Sequence, residues 1–250
     1  MALLSVQFPS PALGKQAAMY VILPPGKGPF PALYLLHGLS DDYTIWQRRT
    51  SIERYVEGRN LIVVMPDGAR SFYCNDPRPG GAAYEDHIIK DVVGFIDTTF
   101  HAIPDRRARA IAGLSMGGYG TMMLAMKHPD MFSAACAHSS AVDFAHSFDP
   151  DRERINIIAG NMPKDGRYDL YLLAQKVVKA RKHIALRMDC GRSDGLLKEN
   201  RLFHAYLRKI GFKHKYREYP GTHNWAYWDV HIQESLAFIL SHLKGKKHLR

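Results

Sequence analysis

Short apolar runs recur along the chain and predict strands that are buried on both faces of a sheet. Residues 31–36 (Pro-Ala-Leu-Tyr-Leu-Leu) form the clearest run, and residues 107–112 and 183–188 predict two more buried strands. Residues 213–219 alternate in polarity, and residues 1–9 predict a first strand. The pattern therefore predicts strands from the first residues to residue 219.

Helical patterns between these strands set the expected fold. The Ala-, Met- and Leu-rich stretch 119–126 predicts a helix that ends near His128, because Pro129 cannot continue the helical hydrogen bonds. A chain of 250 residues with 46% hydrophobic content can bury one sizeable core. We therefore expect a single α/β domain over residues 1–250, with a doubly wound, mostly parallel sheet and helices on both faces.

One connection is long for such a fold. Between a further predicted strand at residues 132–137 and the strand at 183–188, helical patterns occur only around 155–158 and 170–178. Long insertions of this kind often cover a pocket and vary substrate choice. We expect a small cap insertion at residues 141–180.

The sequence Gly113-Leu-Ser115-Met-Gly117-Gly118 lies between a predicted strand and a predicted helix. In this context the G-x-S-x-G pattern indicates a nucleophile elbow, a sharp turn that exposes the serine hydroxyl. The glycines avoid clashes with neighbouring elements, and the start of the helix directs N–H groups toward any oxyanion beside the serine. An ordinary glycine-rich turn can match the same sequence pattern, so Ser115 needs catalytic partners before it is assigned as a nucleophile.

A nucleophilic serine requires a base and an acid that orients this base. Asp194 and His223 lie in loops just after two predicted strands, where open α/β sheets carry their functional residues. The order Ser115, Asp194, His223 is that of an α/β-hydrolase. Asp189 competes for the role of the acid, but its place at the end of a strand, beside Cys190, fits a structural role better.

The apolar run at 31–36 leads directly into His37-Gly38-Leu39-Ser40. Hydrolases with this residue order build half of the oxyanion hole on such a loop, so the backbone N–H groups of Leu39 and Met116 are the expected donors. His37 is expected to bond backbone atoms and to shape this loop, not to act as the base.

Further landmarks occur in a fixed order along the chain: Leu36-His37-Gly38, Trp46, Val64-Met65-Pro66-Asp67-Gly68-Ala69-Arg70-Ser71-Phe72-Tyr73, Tyr84-Glu85-Asp86 at a helix start, the elbow, Cys190-Gly191-x-x-Asp194, and Gly221-x-His223-x-Trp225. This ordered set resembles the esterase D or tributyrin esterase family of α/β-hydrolases, which is related to S-formylglutathione hydrolase and to bacterial acetyl and feruloyl esterases. The resemblance covers nearly the whole chain. Ala69 departs from it, because a second glycine is expected after Gly68.

The resemblance implies a serine carboxylesterase that hydrolyses short-chain acyl esters without a cofactor or a metal. It assigns Ser115 as the nucleophile, His223 as the base, Asp194 as the acid, and Leu39 and Met116 as oxyanion donors. Candidates for an apolar substrate pocket are Tyr73, Phe144, Phe148 and Trp225.

Other functions stay open at this point. A specialised esterase would act on feruloyl or cinnamoyl esters, acetylated xylan, or the thioester of S-formylglutathione. Acyl transfer to an alcohol, as in the related mycolyltransferases, fits less well because the chain shows no export signal. A catalytically silent binding module is the alternative from another class, and the complete, ordered triad argues against it.

The formal net charge of +10 raises the question of a nucleic-acid partner. Much of the excess lies in the tail at residues 244–250 and on solvated helix faces, and no basic stripe with interleaved aromatic residues accompanies it. The 13 histidines are scattered without the spacing of a metal site. We expect a small-molecule ester substrate as the partner, with no nucleic acid or membrane, and leave a homo-oligomer open.

The three cysteines, Cys74, Cys136 and Cys190, are sparse and lack C-x-x-C spacing, which is typical of reduced thiols in the cytoplasm. The first residues lack the basic and long apolar regions of a signal peptide, and no apolar run is long enough to cross a membrane. The sequence predicts a cytoplasmic protein, unless a signal peptide was removed.

Overall fold

The computed structural model describes residues 1–146 and 166–244. Its centre is an eight-stranded sheet, with these strands in chain order: β1 Ala2–Ser10, β2 Lys15–Leu23, β3 Ala32–Leu36, β4 Ile62–Pro66, β5 Arg109–Leu114, β6 Ala134–His138, β7 Ala185–Gly191 and β8 His214–Tyr219. Within the sheet they lie in the order β1-β2-β4-β3-β5-β6-β7-β8. The predicted strands are all present, with small shifts at their ends.

The sheet is mostly parallel, as predicted. Strand β1 pairs antiparallel with β2, which pairs antiparallel with β4, and all pairs from β4 across to β8 are parallel. Every residue of β3, β4, β5, β6 and β7 is buried. Parallel strands covered on both faces need such continuous apolar runs, which is why the sequence pattern identified β3, β5, β6 and β7, although β4 was not predicted.

Eight α-helical segments occur in the described ranges: α1 Ile45–Arg49, α2 Ile52–Val56, α3 Tyr84–Asp86, α4 Val93–Thr99, α5 Met116–Lys127, α6 Leu170–Lys179, α7 Leu197–Lys209 and α8 Trp225–His242. A π-helical stretch, His87–Val92, joins α3 to α4. Short 3₁₀ turns occur at Pro11–Leu13, Arg106–Ala108 and Val142–His146.

Two apolar cores confirm that helices cover both faces of the sheet. One core contains residues of α4, α5, α6 and α7, and the other contains residues of α1, α2 and α8. All residues of α5 from Met116 to Met126 are buried. A helix that is apolar around its whole circumference lies inside a protein, and α5 follows this rule.

The predicted cap insertion at 141–180 is described in part. The 3₁₀ turn Val142–His146 follows β6, and α6 packs against α5 and α7. Phe148 and the helical pattern at 155–158 lie outside the described residues. Within residues 1–146 and 166–244, we find no helix with the length and apolar character needed to span a bilayer.

Candidate active site

Ser115 lies at the junction of β5 and α5 in a strained backbone conformation, with φ 53° and ψ −117°. Its N–H donates to the carbonyl of His138 at 2.9 Å, and its own carbonyl accepts the N–H groups of Tyr119 at 3.0 Å and Ala141 at 3.2 Å. These bonds tie the turn to β6 and to the chain that follows β6. The elbow expected from the sequence therefore has the expected backbone shape.

Two glycines make this turn sterically feasible. A Cβ on Gly113 would lie 2.5 Å from the carbonyl oxygen of Gly117, and a Cβ on Gly117 would lie 2.6 Å from the carbonyl oxygens of Leu36 and His37. No side chain fits at either position. The glycines therefore let α5 start directly against the end of β3.

The structure brings the three predicted triad residues together. His223 Nε2 lies 3.0 Å from Ser115 Oγ, and His223 Nδ1 lies 2.9 Å from Asp194 Oδ2. The Asp194 side chain is fully buried, whereas that of His223 is 35% exposed. A serine hydroxyl, an imidazole and a buried carboxylate thus form one hydrogen-bonded chain that ends at the surface.

The carboxylate of Asp194 is stabilised in its ionised form. Burial raises its pKa, but hydrogen bonds from His223 and from the N–H of Leu196, the latter at 2.8 Å, outweigh burial and hold the pKa below its usual value. An ionised carboxylate at this place orients the imidazole so that Nδ1 carries the proton.

The loops that carry Asp194 and His223 are joined to each other. The N–H of Arg192 donates to the carbonyl of Tyr219 at 2.8 Å, and the N–H of Ser193 donates to the carbonyl of Gly221 at 2.9 Å. A Cβ on Gly191 would lie 2.5 Å from the carbonyl oxygen of Gly221, so this approach requires glycine. The acid and the imidazole are therefore positioned by one combined turn.

Asp189, the competing acid, lies elsewhere. Its side chain is fully buried and accepts hydrogen bonds from His138 Nδ1 at 3.0 Å and from the hydroxyl of Tyr227 at 2.9 Å. It also forms an ion pair with Arg187. The structure therefore places Asp194, and not Asp189, against His223.

Leu39 and Met116, the predicted oxyanion donors, line the same cavity as Ser115. Met116 is the first residue of α5, where helical N–H groups have no partner inside the helix. His37 bonds backbone atoms, as expected: its Nε2 accepts the N–H of Gly68 at 2.8 Å, and its Nδ1 donates to the carbonyl of Gly38 at 2.7 Å.

The cavity beside Ser115 has a volume of about 590 Å³ and aromatic walls formed by Phe72, Trp225 and Trp228. Of the predicted pocket residues, Trp225 lines the cavity. Sequence reasoning missed Phe72 and Trp228, although Phe72 belongs to the landmark that ends at Tyr73, and Trp228 follows Trp225 by one helical turn.

Two expectations for the pocket need correction, because Tyr73 and Phe144 do not line it. Tyr73 is fully buried, and its hydroxyl donates to the carbonyl of His37. Phe144 stacks on Phe72, with ring centroids 3.5 Å apart and an interplanar angle of 3°, and so supports the wall from behind. Phe148, the remaining candidate, lies outside the described residues.

The loop that carries Phe72 explains why glycine is expected at position 69. Ala69 has φ 43°, and Phe72 and Tyr73 have φ 52° and 59°. A non-glycine residue in this left-handed region costs about 1–2 kcal/mol. Ala69 therefore adds strain where a glycine would not.

Charged side chains also line the cavity, and their signs are mixed. Asp194 and Asp41 are acidic, and Arg49 is basic. Burial raises the pKa of Asp41, although Arg49 acts in the opposite direction. The walls therefore combine apolar surface with charges of both signs.

Comparison with known proteins shows which family the chain belongs to. A family model described as "Putative esterase" matches residues 10–239 of the chain. The chain belongs to this esterase family. An acetyl esterase of Caldicellulosiruptor saccharolyticus is 28% identical to it over 96% of this chain and 98% of that relative.

Two solved structures from Staphylococcus aureus share its fold. The S-formylglutathione hydrolase FrmB is 32% identical with a TM-score of 0.84, and the fluorophosphonate-binding serine hydrolase FphF is 33% identical with a TM-score of 0.87. Each match covers 96% of this chain and 98% of the other. The protein is thus a serine carboxylic ester hydrolase with the α/β-hydrolase fold, and it acts on small-molecule esters.

Proposed function

We propose that this esterase hydrolyses short-chain acyl esters through an acyl-enzyme formed on Ser115. The hydrogen-bonded chain from Ser115 through His223 to the buried Asp194, at the wall of a cavity, supports this mechanism. A triad in this arrangement combines a nucleophile, a base within reach of its proton, and a carboxylate that orients the base.

The reaction follows from these positions. As Ser115 Oγ attacks the ester carbonyl, His223 Nε2 accepts its proton, and Asp194 stabilises the resulting imidazolium. The N–H groups of Leu39 and Met116 bind the oxyanion of the tetrahedral intermediate. His223 then protonates the departing alcohol, and the C–O bond to it breaks. In the second half, His223 takes a proton from water, which attacks the acyl-enzyme. The bond to Ser115 Oγ then breaks, His223 returns the proton to this oxygen, and the acid is released.

The fixed position of the Phe72 wall supports a preference for acetyl to butyryl groups. Phe72 cannot retreat easily, because Phe144 stacks behind it and Tyr119 packs edge-on against it at 5.9 Å. One methylene in such a pocket changes discrimination by about 1–3 kcal/mol, so activity should decline gradually with chain length.

A series of nitrophenyl esters from acetate to laurate tests this preference. We expect kcat/KM to be highest among acetate to butyrate and to decrease toward laurate. A steady increase from butyrate to laurate would instead reveal a long-chain channel and refute the compact pocket.

The three aromatic walls favour a hydroxycinnamoyl ester as a second candidate substrate. Trp225, Trp228 and Phe72 present rings that can stack on a planar aromatic acyl group. Methyl ferulate and S-formylglutathione belong in the same kinetic series. If either exceeds every alkyl ester by a large factor, the specialised esterase replaces the short-chain one.

We also propose that the protein works in the cytoplasm and without nucleic acid. Cys74, Cys136 and Cys190 are unpaired and buried, which suits a reducing compartment. Fractionation of the native host with an antibody to the protein tests the location, and enrichment outside the cytoplasm would refute it. Light scattering of the purified protein determines its oligomeric state.

A further inference from the structure

Three consecutive carbonyls at the end of β3 each accept a hydrogen bond from a side chain. The indole of Trp46 donates to Leu36 at 3.0 Å, the hydroxyl of Tyr73 donates to His37 at 3.1 Å, and His37 Nδ1 donates to Gly38 at 2.7 Å. Because a peptide unit is planar, the bond to the His37 carbonyl fixes the N–H of Gly38, and the bond to the Gly38 carbonyl fixes the N–H of Leu39. These bonds therefore orient the chain that leads to Leu39.

Of these three donors, Tyr73 comes from the strained loop after β4 and is held in a narrow slot. A Cβ on Gly68 would lie 2.3 Å from Tyr73 Cε1, and a Cβ on Gly120 would lie 2.4 Å from Tyr73 Cδ2. The ring is thus enclosed between the loop after β4 and helix α5. Its hydroxyl has a defined position, which a loosely packed side chain could not provide.

The same loop contacts His37 a second time. The N–H of Gly68 donates to His37 Nε2 at 2.8 Å, which leaves the proton on Nδ1 for the bond to the carbonyl of Gly38. The loop after β4 therefore supports both the backbone and the ring of His37. A change at Tyr73 removes one of these two supports and leaves the other in place.

We propose that Tyr73 is a positioning residue for the oxyanion hole: by donating to the carbonyl of His37, it fixes the peptide unit just before that of Leu39, so that the N–H of Leu39 points toward the reacting carbonyl. The inference rests on the proposed function of Ser115 and Leu39. Tyr73 itself touches no reacting atom, since its side chain is fully buried behind the cavity.

Such a role predicts an effect on the transition state and not on substrate binding. The developing oxyanion depends on donors aimed at its position, whereas the neutral ester carbonyl gains little from them. Loss of the Tyr73 hydroxyl should therefore reduce kcat and leave KM nearly unchanged. Direct removal of an oxyanion donor lowers kcat by about 10²–10³-fold, so an indirect support should cost roughly tenfold.

The test compares Tyr73→Phe with Tyr34→Phe. Tyr34 is also fully buried and lies in β3 ahead of His37. Its hydroxyl, however, faces Arg109 and not the loop at residues 37–40. For each variant we would measure kcat, KM, the inhibition constant of an alkylboronic acid, and the melting temperature. The boronic acid forms a tetrahedral adduct with the nucleophilic serine and so reports on the oxyanion hole.

We expect Tyr73→Phe to lower kcat and to weaken boronic acid binding, each by roughly tenfold, with KM within about twofold. Tyr34→Phe should change none of the three. Unchanged kcat and boronic acid binding in Tyr73→Phe would show that the ring only packs, and would overturn the inference. Equal losses in both variants would overturn it as well.

Boronic acid binding to Ser115→Ala separates this inference from the proposed function, because this variant lacks the proposed nucleophile. If the wild-type protein hydrolyses esters but Ser115→Ala binds the acid as tightly as the wild type, the assigned nucleophile is wrong and both proposals fall. If the wild-type adduct forms on Ser115 and Tyr73→Phe binds the acid normally, only the role of Tyr73 falls.

Discussion

Among residues 1–146 and 166–244, two serine–histidine–aspartate arrangements occur with nearly identical distances. In the candidate active site, His223 lies 3.0 Å from Ser115 Oγ and 2.9 Å from Asp194. In the second arrangement, His138 Nε2 lies 3.0 Å from Ser235 Oγ, and its Nδ1 lies 2.9 Å from Asp189 Oδ2. Hydrogen-bond lengths alone therefore do not identify the nucleophile.

The surroundings of the two arrangements differ. Ser235, His138 and Asp189 are all fully buried, and Ser235 lies inside the long helix α8. Ser115 lies on a strained turn beside a cavity and the first N–H groups of a helix. Of the two serines, Ser115 alone combines the hydrogen-bonded chain with access to a cavity, a strained turn and the first N–H groups of a helix.

The buried arrangement connects three elements of the fold. His138 ends β6, Asp189 lies in β7, and Ser235 and Tyr227 lie in α8. Burial raises the pKa of Asp189, but His138, Arg187 and Tyr227 outweigh it and hold the pKa below its usual value. This group therefore acts as a polar support beneath the active site, and the carbonyl of His138 also accepts the N–H of Ser115.

Replacing the two serines should give the largest contrast. Ser115→Ala should reduce ester hydrolysis by about 10⁴-fold or more, because the nucleophile is lost. Ser235→Ala should stay within a few-fold of wild type, since Ser235 has no access to substrate. A fluorophosphonate probe should label Ser115 in the wild type and in Ser235→Ala. Labelling of Ser235, or near-normal activity of Ser115→Ala, would contradict the assignment of Ser115, and not Ser235, as the nucleophile.

The two aspartates should separate catalysis from stability. Asp194→Asn should lower kcat by about 10⁴-fold with a modest change in melting temperature, because the imidazole loses its orienting carboxylate. Asp189→Asn should mainly destabilise the fold, by roughly 3 kcal/mol, because it leaves the buried Arg187 without its charged partner. Paired kinetics and urea unfolding measure both effects, and the reverse pattern would show that Asp189 is the acid.

Acid should weaken the fold through the same carboxylates, with a smaller effect. Both aspartates have pKa values below 3.8, the ordinary value, in the folded state. Their stabilisation is complete above that value and is lost as the pH falls through the folded pKa values. The free energy of unfolding, measured between pH 6 and pH 2, should therefore decrease toward acid.

The Asp189→Asn variant should flatten this decrease in the free energy of unfolding more than Asp194→Asn does. The reason is that the buried Asp189 pairs with two buried side chains, His138 and Arg187. Two variants with the same acid dependence as the wild type would show that other carboxylates dominate.

The sequence predicted six of the eight strands, all but β2 and β4, and it predicted the elbow, because each of these depends on neighbouring residues. Buried parallel strands require continuous apolar runs, and a glycine-flanked serine at a strand–helix junction specifies its own turn. Asp194 and His223 were predicted because parallel strands end at one edge of the sheet, so loops after neighbouring strands meet there. These are local rules combined with one rule of topology.

The errors arose where the backbone departs from such rules. Phe72 and Tyr73 both have positive φ, so the usual alternation of side chains does not tell which ring faces the cavity. The buried arrangement escaped notice because His138 and Ser235 are 97 residues apart, and only the packing of α8 on the sheet joins them. Residue contacts of this kind follow from tertiary packing, which no local pattern encodes.

The burial of α5 bears on which part of the candidate active site is lost first when the protein is warmed. Ser115 lies at the start of a helix that is buried from Met116 to Met126. We therefore expect the backbone hydrogen bonds of Ser115 to open only when the whole domain unfolds. His223 lies on a surface loop and is 35% exposed, so a partial opening there costs far less. Gentle warming should therefore separate the base from the nucleophile while the central helix is still folded. We therefore expect inactivation to begin below the melting temperature and to be reversed on cooling.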